Sequence, residues 1–162
     1  LEENIQIRKE LLASVENLSD EQLNRKLDNE NWTIMQVLEH LYLMESKLVK
    51  LMNHFLVKAE EELIPEKPIH LAINRTQRVM SPERFEPADQ FIPLDEMKQK
   101  LNESRATLFE FVEQTKNINL SKKGFPHPLF GQISIKQWIP LIGYHEKRHL
   151  EQIEELKRKI TN

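Results

Sequence analysis

The segment Ser134–Lys159, SIKQWIPLIGYHEKRHLEQIEELKRK, decides the fold. Ser134 followed three residues later by Gln137 is a capping box, and Ile133 and Trp138 occupy hydrophobic-staple positions, so a helix is expected to begin at Ser134. At about 100° per residue, Trp138, Ile142, Ile153, Leu156 and Ile160 then share one face. His145 and His149 stand at the centre of that apolar stripe. Pro140 removes a hydrogen bond to the carbonyl four residues back and is expected to bend the helix, with Gly143 nearby, one turn before His145.

Working outward, three more long segments read with helical period. The second helix is expected from about Thr33 to Lys58, with Thr33 and Gln36 as a capping box and Trp32 stapled on Val37. The third covers about Leu94 to Gln114, with Leu94, Met97, Leu101, Leu108 and Val112 on one stripe. The first runs from about Glu2 to Leu18, its inner face read as Ile5, Leu11, Leu12, Val15 and Leu18. A capped turn at Ser19–Leu23 follows, with Gln22 three residues after Ser19.

Between the second and third helices, Glu60–Pro93 carries Pro65, Pro68, Pro82, Pro87 and Pro93, so it cannot be one long helix; it is either functional or a crossover. Lys116–Gln132, with Gly124, Pro126, Pro128 and Gly131, reads as irregular, and no strand pattern is evident. No repeat or domain boundary appears, and one domain over residues 1–162 is expected.

The chain is 39% hydrophobic and 30% charged with only three glycines, which suits helices. It is long enough to bury a core without a metal staple, so a bound metal would have a functional role. A net charge of −3, with Lys and Arg dispersed among acids, argues against nucleic acid as a partner. The absence of cysteine excludes disulfides, thiolate nucleophiles and Cys-ligated zinc, and fits a reducing cytoplasm. No apolar run approaches the roughly 18 residues of a membrane helix, and no secretory leader is read.

Chemistry concentrates at His145-Glu146-Lys147-Arg148-His149. Histidines four apart stack on one helix face, and two imidazoles in a core are costly unless each finds a partner. A shared divalent cation serves both; hydrogen bonds to carbonyls or carboxylates are the bland alternative. The third ligand should come from another helix. On the second helix the stripe is Ile34, Val37, Leu38, Leu41, Glu45, Leu48 and Met52, and His40 lies at its edge. His54 falls about 140° from the stripe centre and reads as solvated, while His70 and His127 lie in expected loops. Three neutral imidazoles leave the full charge on the ion and a coordination position open, as in catalytic sites.

The same five residues spell the H-E-x-x-H signature of zinc proteases. Context argues against that reading: thirteen residues follow His149, and the extended form would want Gly and His where Gln152 and Glu155 stand. Two polar residues break the stripes, Glu45 on the second helix and Arg105 on the third. They form either an ion pair between helices, or Glu45 orients a histidine ligand or accepts a proton.

The chain resembles the DinB-like (DinB/YfiT) metalloenzyme family. The resemblance rests on Trp32-Thr33-Ile34 leading into His40-Leu41 and Glu45, on His127-Pro128-Leu129-Phe130-Gly131, and on Trp138 with His145 through Ile153. It implies an all-α four-helix bundle with an unusual connection, here the long crossover between the second and third helices. It also implies a zinc, nickel or similar ion on His40, His145 and His149, and frequent homodimers. Related proteins include S-transferases that use low-molecular-weight thiols such as bacillithiol or mycothiol.

The leading expectation is therefore a metal-dependent thiol S-transferase acting on a small-molecule electrophile. In a chain without cysteine the thiol must come from a cosubstrate, with Glu45 or His127 assisting proton transfer. Metal-dependent hydrolysis is the alternative, and a non-catalytic stress-response or binding module is a third reading.

Overall fold

The computed structural model describes residues 1–28, 31–75 and 86–161. Its long helices are α1 (Glu2–Val15), α3 (Ile34–Lys58), α4 (Leu94–Gln114) and α5 (Ile135–Thr161), with a short α2 (Asp20–Leu23) and a hairpin of β1 (Gly124–His127) and β2 (Gly131–Ser134). The architecture is a four-helix bundle. Both capping boxes expected at Ser19/Gln22 and Thr33/Gln36 are complete, side chain to backbone in both directions.

Two apolar clusters show how the helices run. At one end, Ile34, Val37 and Leu41 of α3 pack with Leu94 to Leu101 of α4, Leu11 and Val15 of α1, and Ile153 and Leu156 of α5. At the other, Leu48 and Met52 pack with Leu108 and Phe111 and with Ile135, Trp138 and Ile142. Hence α3 and α4 run parallel to each other, and α5 runs against both. Asn4 bonds Ile139, Arg8 bonds Glu146 and Ser14 bonds Glu154, so α1 runs with α5.

Parallel neighbours explain the long connection. At 25 residues, α3 rises about 37 Å, and the chain must return that length before α4 can start alongside it. The return follows α5. Gln137 clasps both the N–H and the C=O of Lys67 at 2.9 Å, a 3-10 helix at Ile69–Ile73 buries Ile69, and Arg75 pairs with Glu155 at 2.6 Å. At the far end Asn24 bonds both backbone groups of Ile92, and Asp20 caps α4 by accepting from Leu94 N at 2.9 Å. Residues 76–85 of the expected connection, Pro82 among them, lie outside the described residues.

Several expectations need correction. The first helix stops at Val15, and Leu18 is buried in the following turn. Ile5 is 37% exposed, because it sits about 120° around the helix from Leu11; the inner face is Asn4, Ile7, Arg8, Leu11, Ser14 and Val15. On α4, Phe111 takes the buried position expected of Val112. The box at Ser134 is half made: Ser134 Oγ accepts from Gln137 N at 3.3 Å, but the Gln137 side chain holds Lys67 instead.

The stretch read as irregular holds the hairpin, with Phe125 opposite Ile133 and His127 opposite Gly131. Four-residue strands interrupted by proline are too short to display alternation. A Cβ on Gly124 would lie 2.0 Å from the Ile133 carbonyl oxygen, so only glycine fits there. Phe125 is sandwiched between Phe55 and Trp138, with ring centroids 4.9 and 4.4 Å away. Among the described residues no helix is long and apolar enough to cross a membrane.

Candidate metal centre

Between the two apolar clusters lies a layer of buried charge, one side chain from each long helix. Arg8 donates to both oxygens of Glu146 at 2.6 and 3.2 Å and to Glu45 at 3.2 Å. Arg105 donates to Glu45 at 2.9 Å and to Glu146 at 3.1 Å. Ser104 Oγ donates to Glu45 at 2.5 Å, and the remaining guanidinium N–H groups reach the carbonyls of Leu101 and Asn4. Burial alone would lower the Arg8 pKa, but Glu146 and Glu45 outweigh it and hold Arg8 above the ordinary arginine value. Glu45 and Arg105 thus have the interhelical partners that the ion-pair alternative requires, while Arg8 and Glu146 were not foreseen. A correctly phased α1 would have shown Arg8 on the inner face.

Beside this layer, α3 and α5 bring His40, His145 and His149 together. Their opposed directions allow the meeting, because His40 lies near the start of α3 and the other two midway along α5. His145 Nε2 is 3.3 Å from His40 Nε2 and 3.2 Å from His149 Nε2. His40 is buried at 3% exposure and the other two are half-buried. The Trp32 ring centroid stands 4.9 Å from that of His40, so the residue before the α3 cap also walls the cluster.

The chemistry of these donors fits a divalent ion. Metal–nitrogen bonds of about 2.0–2.1 Å put neighbouring tetrahedral ligands about 3.3 Å apart, the separation observed for both close pairs. His149 Nδ1 lies 2.8 Å from Gln152 Oε1, an acceptor only, so its ring proton sits on Nδ1 and Nε2 is a bare lone pair. His145 Nε2 has two imidazole neighbours, and one proton there could serve only one of them. A cation satisfies all three nitrogens at once. Desolvation first, then the neighbouring histidines, push His145 well below the ordinary histidine value. Desolvation first, then His40, lower His149 to about 3, against a contrary pull from Gln152. His145 and His149 are therefore neutral at physiological pH.

In the sequence Gln152 stands as a mismatch to the extended protease motif and inside the stretch that carries the family resemblance, with no role attached to it. Its place three residues after His149, on the same helix face, is the signal that could have found it. Gln152→Leu is expected to leave the fold intact and to weaken metal binding about 10–100-fold, read by competition with a chromogenic chelator. Unchanged affinity would show that Gln152 does not set the orientation of the ring.

Of the other predicted residues, Glu45 has its described contacts in the charge layer. His127, expected in a loop, is the last residue of β1, its ring 5.4 Å from Trp138 and 5.0 Å from Phe130. His54 is exposed, and His70 lies exposed in the 3-10 helix.

The DinB superfamily model matches residues 4–153. The uncharacterised protein YuaE of Bacillus subtilis (strain 168) is 37% identical over 153 residues, covering 94% of each chain. Among solved structures, TT2238, described as a four-helix bundle protein, superposes with a TM-score of 0.63 at 24% identity, over 96% of this chain and 95% of that one. YfiT from Bacillus subtilis, described as "a probable metal-dependent hydrolase with an unusual four-helix bundle topology", superposes with a TM-score of 0.64 at 18% identity, over 99% of this chain and 85% of that one. These two likenesses concern the fold; the sequence match over nearly the whole length places this chain in the DinB superfamily.

Proposed function

We propose that the protein is a metal-dependent enzyme acting on a small molecule, with zinc or nickel held by His40, His145 and His149. The observation that carries this reading is the convergence of His40, His145 and His149, whose ligand atoms lie within 4.8 Å of one another, with His145 Nε2 at 3.3 and 3.2 Å from the other two Nε2 atoms. Three protein ligands with no carboxylate leave the ion its full positive charge and an open position. Bound there, the ion would lower the pKa of a nucleophile, thiol or water, and polarise its target.

The chain's own residues supply orientation. Gln152 fixes the His149 tautomer, and Trp32 flanks His40. Glu45 and Glu146, gripped by the same two arginines, hold α3 and α5 at a fixed relative height. Glu45 follows His40 by five residues and Glu146 follows His145 directly, so this brace sets where the ligands meet. Glu45 is therefore best read as a positioning residue: three hydrogen-bonded donors, Arg8, Ser104 and Arg105, already occupy its two oxygens.

A low-molecular-weight thiol is the leading nucleophile, since the cysteine-free chain has none. In that reaction the sulfur–carbon bond forms, the electrophile's leaving group departs with the electron pair, and the thiol proton passes to solvent. Zinc- and nickel-loaded protein is expected to accelerate consumption of bacillithiol by 1-chloro-2,4-dinitrobenzene above the uncatalysed rate, and the chelated protein is not. Hydrolysis is the second reading, favoured by the description of the YfiT neighbour. Ester turnover without added thiol would select it, and inactivity in both assays with metal bound would leave a binding module.

A further inference from the structure

His127 closes β1 at the tip of the hairpin, and its ring is held in an unusual way. Its Nδ1 accepts from two backbone N–H groups, Leu129 at 3.0 Å and Phe130 at 3.3 Å. The tight loop that aims both groups inward depends on Gly131, whose φ of +72° only glycine adopts without strain. Phe130 and Trp138 flank the ring.

A backbone N–H can only donate, so Nδ1 must present its lone pair, and the single proton of the neutral ring is assigned to Nε2. A second proton at Nδ1 would point at two other hydrogens and would break both bonds. Burial also lowers the pKa of His127, in the same direction. The ring is thus locked as one tautomer whose Nε2 has a proton to share and no lone pair to offer. A general base needs that lone pair, so His127 is not one.

Its position puts this donor near the candidate metal centre. Trp138, against which His127 packs, precedes His145 by seven residues, two turns along the same face of α5. His127 is half-buried.

We infer that His127 is a fixed Nε2–H donor that binds an electronegative oxygen of the small molecule, a carboxylate or carbonyl, at the metal centre. This rests on the metal-centre reading above and replaces proton transfer by His127 with positioning of the substrate.

The experiment uses zinc-loaded protein, with metal content measured throughout so that failure of the metal centre is seen separately. Histidine-labelled protein is first examined by nitrogen NMR. His127 is expected to show the Nε2–H tautomer unchanged from pH 8 to below the ordinary histidine range. Acetate is then titrated calorimetrically as an oxygen-anion probe. His127→Ala is expected to weaken acetate about 10-fold or more, the loss of one hydrogen bond to a charged group. His127→Gln, whose amide N–H reaches close to the Nε2 position, is expected to restore it, and His127→Asn, whose shorter side chain mimics Nδ1, is not. An Nδ1–H tautomer, an imidazolium at neutral pH, or acetate binding equal or undetectable in all four zinc-loaded proteins would overturn the inference.

Discussion

Arg105→Met is expected to lower stability by about 3–5 kcal/mol, measured as the shift in a urea unfolding curve. Arg105 is 6% exposed, and its guanidinium bridges Glu45 on α3 to Glu146 on α5. Taking it away leaves two buried carboxylates sharing Arg8, one negative charge without compensation in a site that water reaches poorly. A folded domain holds only about 5–15 kcal/mol in total, so this single change would consume much of it.

The size of that loss would not mean that the charge layer is a net source of stability. Burying four charged groups costs several kcal/mol per ion before their attraction returns it, and apolar side chains of similar volume often do as well. The double variant Arg105→Met with Glu45→Met removes one charge of each sign. It is expected to recover part of the single-variant loss, a coupling that a double-mutant cycle measures. A loss under about 1 kcal/mol for Arg105→Met would mean that the layer is hydrated or rearranges freely.

The second large effect concerns the histidines. His149→Ala is expected to reduce bound zinc or nickel from near stoichiometric to background after gel filtration, read by plasma mass spectrometry, and to abolish any metal-dependent turnover. Losing a ligand should exceed the roughly 10–100-fold cost of losing a partner that only orients one. The metal-free fold should not suffer in proportion. His149 is half-buried on α5, and with the ion absent its neutral ring adds little beyond its packing and its bond to Gln152. An unfolded variant would contradict this, and a folded variant with full metal would remove His149 from the ligand set.

Three of the long helices could be read from the chain because each satisfies several local rules together. Thr33/Gln36 marks the start of α3 with a device that works within four residues, and the apolar stripes of α3, α4 and α5 repeat over enough turns to fix their phase. The phase of α1 departs from its apolar pattern for a physical reason. Its inner face carries Asn4 and Arg8, polar residues that hydrophobicity assigns to solvent, while Ile5 lies outside. Asn4 and Arg8 can be buried only because their partners come from α3, α4 and α5, distant in the chain.

The hairpin escaped detection for another reason. Its strands hold four residues each, too few for a period-two signal, and its register is set by the stacking of Phe125 between Phe55 and Trp138. The same hairpin gives His127 its tautomer, a property of backbone geometry that no residue pattern contains.

Legible in the residues were α3, α4 and α5, the capping boxes at Ser19 and Thr33, the His145/His149 pair and the prolines that force a long connection. All of these depend on chain neighbours within one or two turns, where spacing is structure. The tertiary structure alone decided that α3 opposes α5, which lets His40 meet His145 and His149, and that Gln152 faces His149. It alone decided that Arg8 and Arg105 close a neutral layer on Glu45 and Glu146. These are interactions of directional groups whose geometry exists only once all four helices are packed.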